Sequence, residues 1–207
     1  MEALPICCFL AAAIESSTMH IGNKFLANLG QTKLTYDLLV LLITRELGPI
    51  LIAFIVTARS ATAIATELST MVVGHEIEAY ISIGIDPISH LAAPRFLSVT
   101  FSIFFLNIYF SIFGLIMPAF LVNLISKTSF GDYFTLLFQS MDIKIILIFI
   151  VKSIAFGMII SGSATMYGFM AGRVSTEIPM AGLRAVSKAF LYIILADAFI
   201  TALSYLL

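Results

Sequence analysis

Apolar runs long enough to cross a lipid bilayer recur along this chain, and only short polar stretches separate them. A transmembrane helix needs about 20 predominantly apolar residues. The sequence is 60% hydrophobic and 11% charged, whereas a soluble domain carries about 25% charged residues. A chain of this composition cannot hide its apolar surface from water by folding on itself, so its solvent must be lipid.

The spacing of the runs predicts an all-α integral membrane protein with one domain over residues 1–207 and about five transmembrane helices. The predicted spans are residues 3–22, 36–58, a stretch within 95–125, 143–170 and 185–207. The third run is longer than one crossing needs, so it must tilt, protrude or bend at Pro118. A cleaved signal peptide is the alternative for the first run, but the Met-Glu start lacks the lysine or arginine of such signals, which favours a membrane helix.

The charges of the chain narrow the class of partner but not the orientation. A net charge of −1 argues against nucleic-acid binding, which calls for a basic face. Lysines and arginines are divided almost evenly between the connections of the two sides, so the positive-inside rule leaves the orientation open. We predict no catalytic residue and no metal site.

The segment TRELGP, residues 44–49, places Arg45, Glu46 and Pro49 between two apolar runs. Neighbouring helical side chains point about 100° apart, so the two charges are not expected to neutralise each other. Each then needs a separate partner or a wet cavity. Pro49 has no N–H, which deprives the carbonyl of Arg45 of its helical hydrogen bond. We predict that these three residues bind the substrate; the alternative is that both charges snorkel to an interface.

Three further charges fall within or near the predicted spans, namely Glu15, Lys152 and Asp197. A lone charge in hydrocarbon is costly and usually marks a pathway or finds a partner. Lys152 and Asp197 have opposite signs and lie in the fourth and fifth spans, so they either pair or face water separately. Beyond the second span, Ala61 and Ala65 belong to a face of small residues, for which ordinary helix packing is expected.

The segment GHEIEAYISIGIDP predicts a short amphipathic helix over residues 74–85, between the second and third spans. A helix that lies on an anionic lipid surface favours lysine and arginine, whereas this one offers acidic side chains. They suit a basic groove on a protein partner; the alternative is an interfacial helix that only closes a loop. The predicted docking residues are His75, Glu76, Ile77, Glu78, Tyr80 and Ile81.

Two long motifs, RELGPILIAFIVTARSATAIATELSTM and EIEAYISIGIDPISHLAAPR, resemble the MlaE-type permease family, the membrane subunit of lipid-transporting ABC systems. The likeness is dense over residues 45–95 and weaker in YGF, LRAV and ADAFITAL further along the chain. Ala58 and Ser60 stand where the family has glycines, and Gly74-His75-Glu76 replaces Thr-Glu-Gln. The family also has an interfacial helix before the first span, which is expected to be missing here.

The resemblance implies a role for each motif. RELGP would lie beside a lipid cavity at the centre of a homodimer, and the helix over residues 74–85 would be the coupling helix that docks on an ATPase at the cytoplasmic side. The implied partners are an ABC ATPase subunit, a second copy of the chain, an MCE-domain lipid-binding protein and a phospholipid or similar amphiphile. The implied location is a bacterial inner membrane, or the plastid inner envelope in a eukaryote.

The chain contains no G-x-x-x-x-G-K-[ST] loop, so ATP hydrolysis is expected in a partner chain and no cofactor is expected in this one. Two other functions stay open. An intramembrane hydrolase would need a nucleophile such as Ser161 or Ser163, yet no histidine falls in the middle of a span to activate it. An ion-coupled secondary transporter could use Glu15, Lys152 and Asp197 as a proton relay, although the internal repeats frequent in such transporters are not evident.

Overall fold

The computed structural model describes residues 32–126 and 130–206, together with residues 9, 13, 14, 16–18, 21 and 22. The regular secondary structure of these residues is helical throughout, which confirms the predicted all-α class. Most of the predicted first span, residues 3–22, lies outside the described residues. Glu15 lies outside them as well.

Six helices follow one another over residues 32–206 of the described part of the chain. Helix α1 consists of three α-helical segments, Thr32–Val40, Gly48–Val56 and Thr62–Val73, joined by π-helical turns at Leu41–Leu47 and Thr57–Ala61. The next helices are α2, Glu76–Ser82, and α3, Ala93–Ser126, which a third π-helical turn at Ile88–Ala92 precedes. The last three are α4, Phe130–Ser140, α5, Ile143–Phe169, and α6, Glu177–Leu206.

Four helical stretches in the described part of the chain are long and apolar enough to cross a membrane. They are Lys33–Val73, Ile88–Phe120, Ile143–Phe169 and Glu177–Leu206. These stretches correspond to the second, third, fourth and fifth predicted spans, and they make the chain an integral membrane protein. Pro118 lies inside α3, which continues through it as one helix.

Two boundaries differ from the prediction. Helix α6 begins at Glu177 rather than at residue 185, because Arg184 Nη1 and Glu177 Oε2 lie 2.9 Å apart and offset each other's charge within the first turns. The predicted connection over residues 127–142 contains α4, because Tyr133 and Leu137, four residues apart, both turn inward and are buried.

The chain forms two compact units. The first comprises Met1–Ile52 and Phe105–Val151, and the second comprises Ala53–Phe104 and Lys152–Leu207. In the first unit, Tyr133 of α4 is 1% exposed and meets the ring of Tyr36 edge to face, with centroids 5.4 Å apart. The Tyr133 hydroxyl donates a hydrogen bond to the carbonyl of Leu115 at 2.9 Å. The buried phenol is therefore satisfied, and it joins α4 to α1 and α3.

Small residues let the helices of the second unit approach closely. Ala61 and Ala65 of α1 are fully buried, and the segment Thr62–Val73 packs along α6. A Cβ atom added to Gly168 of α5 would lie 2.8 Å from the Cβ of Leu68, so only glycine fits there. The predicted packing role of the small-residue face is thereby confirmed.

Candidate functional site

The TRELGP segment lies at a π-helical turn of α1, Leu41–Leu47. The N–H of Gly48 donates to the carbonyl of Ile43, five residues earlier, instead of the four residues of an α-helix. A Cβ atom on Gly48 would lie 2.3 Å from that oxygen, so the turn requires glycine. Pro49 follows with no N–H to offer. Short π-helical turns are frequent at functional sites, and this one displaces the helix where the two charges lie.

Arg45 and Glu46 form an ion pair with each other. The distance between Arg45 Nε and Glu46 Oε1 is 3.1 Å, and the two side chains are 11% and 22% exposed. The expectation that these neighbours would not neutralise each other is therefore wrong. Both side chains are long enough to bend together across the angle between their Cα–Cβ bonds, and pairing lowers the cost of placing them in an apolar region.

Additional buried polar side chains lie in the same unit. Thr44 adjoins the ion pair in sequence, and Asn107 and Ser111 of α3 are buried on either side of Phe110. The Phe110 ring lies 3.3 Å from the position of a Cβ atom on Gly48, which places this part of α3 against the π-helical turn. The hydroxyls of Thr44 and Ser111 make no hydrogen bond within the described part of the chain. Buried hydroxyls usually have a hydrogen-bond partner, so these two are suited to bind a polar ligand group or a water molecule.

Sequence reasoning missed Asn107 and Ser111. The available signal was the stretch FLNIYFS, where an asparagine and a serine four residues apart interrupt a strongly apolar run. That spacing puts both side chains on one face of a helix.

Helix α2 spans Glu76–Ser82, which is shorter than the predicted range of 74–85. None of its residues is buried. Backbone in the left-handed region lies on both sides of it, at His75 with a φ of 60° and at Gly84 with a φ of 80°. Beyond it, Asp86 Oδ2 accepts a hydrogen bond from the Ser89 N–H at 3.0 Å. The Ser89 hydroxyl also donates to Asp86, and this bond is the main reason that the pKa of the Asp86 carboxyl is below its ordinary value.

The predicted apolar stripe of α2 is only partly exposed. Ile77 and Tyr80 are half-buried, and the Tyr80 ring contacts the ring of His90 at a centroid distance of 5.8 Å. Ile81 and Ile83, by contrast, are 60% and 70% exposed. The side chains available to a partner are therefore Ile81 and Ile83 rather than Ile77 and Tyr80.

The two acidic residues of α2 have different surroundings. Glu78 Oε1 lies 2.5 Å from Arg173 Nη2, and Glu78 Oε2 lies 3.0 Å from His75 Nδ1. Glu76 is exposed and forms no ion pair within the described residues. Glu78 is thus engaged by its own chain, whereas Glu76 presents its charge outward.

The family model described as Permease MlaE matches residues 1–203 of the chain. The chain belongs to the MlaE permease family. A relative from Rickettsia typhi named "Probable ABC transporter permease protein" is 32% identical over 168 residues, covering 80% of this chain and 64% of the relative. A protein of the same description from Rickettsia conorii is 31% identical over 200 residues, covering 95% of this chain and 75% of the relative.

A more distant relative of this MlaE-family chain is "Protein TRIGALACTOSYLDIACYLGLYCEROL 1, chloroplastic" from Arabidopsis thaliana. It is 25% identical over 197 residues, which cover 95% of this chain and 56% of the plant protein. The MlaE-family chain thus spans 64% of the length of the Rickettsia typhi protein and a smaller part of the plant protein.

In this MlaE-family member, the two charges of the last predicted spans meet. Lys152 Nζ of α5 and Asp197 Oδ1 of α6 lie 2.7 Å apart. Lys152 is 0% exposed, and a lone lysine at such a position would be expensive in hydrocarbon. Of the two possibilities for these residues, pairing is the one observed, and it fastens α5 to α6.

Proposed function

We propose that this chain is the membrane-embedded subunit of an ABC transporter that moves a phospholipid or a similar amphiphilic lipid between membranes. Membership of the MlaE family and the permease names of the Rickettsia relatives support the transporter class. The name of the plant relative contains that of a diacylglycerol lipid, which supports a lipid cargo. ATP would be bound and hydrolysed by a separate ATPase subunit, and this chain would need no cofactor.

The assembly that we propose contains further partners. A second copy of the chain would complete the transport path, and an MCE-domain lipid-binding protein would hand over or receive the lipid. The site of action would be a bacterial inner membrane or, in a eukaryote, the plastid inner envelope. These partners and locations rest on the family resemblance.

The observation that carries the proposal is the exposure of α2. This helix lies between two membrane-spanning stretches and buries none of its own residues, and both Ile81 within it and Ile83 just after it are exposed. Large exposed apolar side chains with a polar surround are typical of protein interfaces. The outward charge of Glu76 suits a basic rim on the partner, which would tune encounter, while the two isoleucines would supply affinity.

The Arg45–Glu46 pair supports a charged headgroup as the cargo. Arginine binds phosphate through charge-assisted hydrogen bonds, so a phospholipid headgroup can replace Glu46 as its partner. The buried hydroxyls of Thr44 and Ser111 offer further hydrogen bonds in the same unit. Pro49 and Gly48 shape the turn that holds the pair.

The hydrolase alternative has less support. The hydroxyl of Ser161 donates to the carbonyl of Gly157 one turn earlier, at 2.7 Å, as helical serines in membranes commonly do. Within the described residues, no cluster of histidine, cysteine and acidic side chains is arranged to hold a metal ion.

The test is affinity purification of the tagged chain from its native host in mild detergent, with peptide and lipid mass spectrometry. We expect a chain with a G-x-x-x-x-G-K-[ST] loop and a bound phospholipid to co-purify. Ile81→Asp should remove at least about nine-tenths of that ATPase. The matched control is Ile143→Asp, because Ile143 is also exposed but begins α5 at the end remote from Phe169. Equal recovery of the ATPase with both variants would contradict docking through α2.

A further inference from the structure

The connection between α5 and α6, residues 170–176, lies beside α2. Arg173, in the middle of this connection, forms the 2.5 Å ion pair with Glu78 described above. The two partners are 95 positions apart in the sequence, from 78 to 173, so the contact joins two distant connections. Both belong to the second compact unit.

The connection also presents large apolar side chains. Met170 is 64% exposed and Val174 is 60% exposed, values similar to those of Ile81 and Ile83 in and after α2. These four residues lie outside the stretches that can cross a membrane, one of which ends at Phe169 and another of which begins at Ile88. The ion pair between Arg173 and Glu78 brings these two groups of exposed apolar residues to the same part of the second unit, and apolar side chains beside charged residues are typical of a protein interface.

The ion pairs of the second unit favour a protein over a lipid surface as the partner. Three arginines of the second unit are matched by carboxylates: Arg173 by Glu78, Arg95 by Glu67 at 2.8 Å and Arg184 by Glu177 at 2.9 Å. Their attraction for anionic headgroups is thereby reduced. Glu76 and Asp86 add exposed negative charge, which an anionic leaflet would repel.

We infer that residues 170–176 and α2 form one composite docking surface, and that both bind the ATPase subunit. The inference rests on the proposed function, because continuity with α2 identifies the occupant. The partner would then hold two connections at once: the one that joins α1 to α3 and the one that joins α5 to α6. Its movement would reach all four long helices directly, and Arg173 would keep the two parts of the surface in register.

Site-specific photocrosslinking in the intact complex tests this surface. A photoreactive phenylalanine analogue replaces Val174, Ile81 or Ile143 in separate preparations, and peptide mass spectrometry identifies each adduct. We expect positions 174 and 81 to crosslink to the chain that carries the nucleotide-binding loop, and position 143 to give no such adduct.

The outcomes separate the inference from the proposed function. An ATPase adduct at position 81 together with none, or only a lipid adduct, at position 174 would overturn the composite surface and leave α2 docking intact. No ATPase adduct at either position would overturn both. An ATPase adduct at position 143 in the same yield as those at positions 81 and 174 would show that the crosslinks are not specific. That result would also overturn the inference of a composite surface.

A pair of substitutions at the same residue provides an independent measurement. Val174→Asp should lower the amount of co-purified ATPase about tenfold, whereas Val174→Leu should retain it, because only the first removes the apolar contact. Since Val174 is exposed, neither variant should shift the thermal unfolding of the isolated permease. Equal ATPase recovery for the two variants would contradict the inference.

Discussion

The ion pair between Arg45 and Glu46 couples two charges that neither lipid nor protein can accept singly at low cost. If one side chain leaves, the loss of the ion pair makes the remaining charge more costly in an apolar region. In the transporter that we propose, a phospholipid headgroup would supply a new partner for Arg45. The pair would then be closed while the proposed path is empty and open while a headgroup passes.

Removing either member of this pair should stop transport. We expect Arg45→Ala and Glu46→Ala each to lower the rate of lipid transfer at least about tenfold in reconstituted complexes, while the ATPase still co-purifies. Glu46→Gln is the matched variant that tests the charge alone, because it keeps the shape of the Glu46 side chain and removes only its negative charge. Normal transfer rates in both alanine variants would contradict a role in the path and would favour snorkelling.

The glycine of the TRELGP segment offers a second residue-scale test. A methyl group at Gly48 would lie 2.3 Å from the carbonyl oxygen of Ile43 and 3.3 Å from the Phe110 ring. Gly48→Ala should therefore lower the free energy of unfolding by about 1–3 kcal/mol, the usual cost of overpacking. At Gly162 of α5 the nearest atom would be 3.9 Å away, so Gly162→Ala should have no destabilising effect. Thermal melts in detergent compare the two, and equal midpoints would refute the requirement for glycine.

For single residues, the sequence predicted the positions of the charges but not their pairing. The unusual placement of Arg45, Glu46 and Pro49 was evident from composition and local spacing alone. Their mutual pairing was not, because a helical projection fixes the directions of Cα–Cβ bonds and leaves the ends of long side chains free. The same freedom hid the bond from Glu78 to Arg173, whose two partners are distant in sequence.

Among the elements, α5 and α6 are joined by the buried ion pair between Lys152 and Asp197. Lys152→Met or Asp197→Leu alone should lower the free energy of unfolding by about 3–5 kcal/mol, because each removes one partner of a buried ion pair. The double variant should recover most of that loss, since two apolar side chains need no partner. A double-mutant cycle on detergent stability measures the coupling. Losses that simply add in the double variant would refute the pairing.

Helices with long apolar runs were predicted correctly from the sequence. A helix whose burial depends on contacts with another helix was not predicted. The spans from the second to the fifth were evident because a run of about 20 consecutive apolar residues is long enough to form a transmembrane helix. Helix α4 was missed because FGDYFTLLFQS is short and has a glycine and an aspartate in its first turn. The burial of Tyr133 and Leu137 depends on contact with α1. The local sequence of α4 does not predict that contact.

At the scale of the whole molecule, the source of energy separates the proposed transporter from an ion-coupled one. In vesicles that contain the purified complex, we expect lipid transfer to require ATP and to continue when proton and sodium gradients are collapsed with ionophores. An ATPase-inactive partner, altered at the lysine of its nucleotide-binding loop, is the matched control. Transfer that persists without ATP and stops with the ionophores would instead support a relay through Lys152 and Asp197.

The central motifs of both candidate sites were predictable because they fall in one contiguous stretch, residues 45–95. Local motifs of this kind carry the family resemblance, and the match over residues 1–203 confirms it. The composite surface was not predictable, because its second part comes from residues 170–176 and contains no distinctive motif. Only the fold places Val174 near α2.

The burial of Lys152 also constrains the order in which the protein is made. Helix α5 leaves the ribosome before α6, so Lys152 reaches the translocon while Asp197, 45 residues later by the difference of their numbers, is still unsynthesised. A lysine at the centre of an inserting helix costs about 2.5–3.5 kcal/mol, and the ion pair with Asp197 cannot offset that cost until α6 arrives. The last helix thus completes the insertion of the one before it. A nascent chain that ends before Asp197 would contain Lys152 without its ion-pair partner on α6.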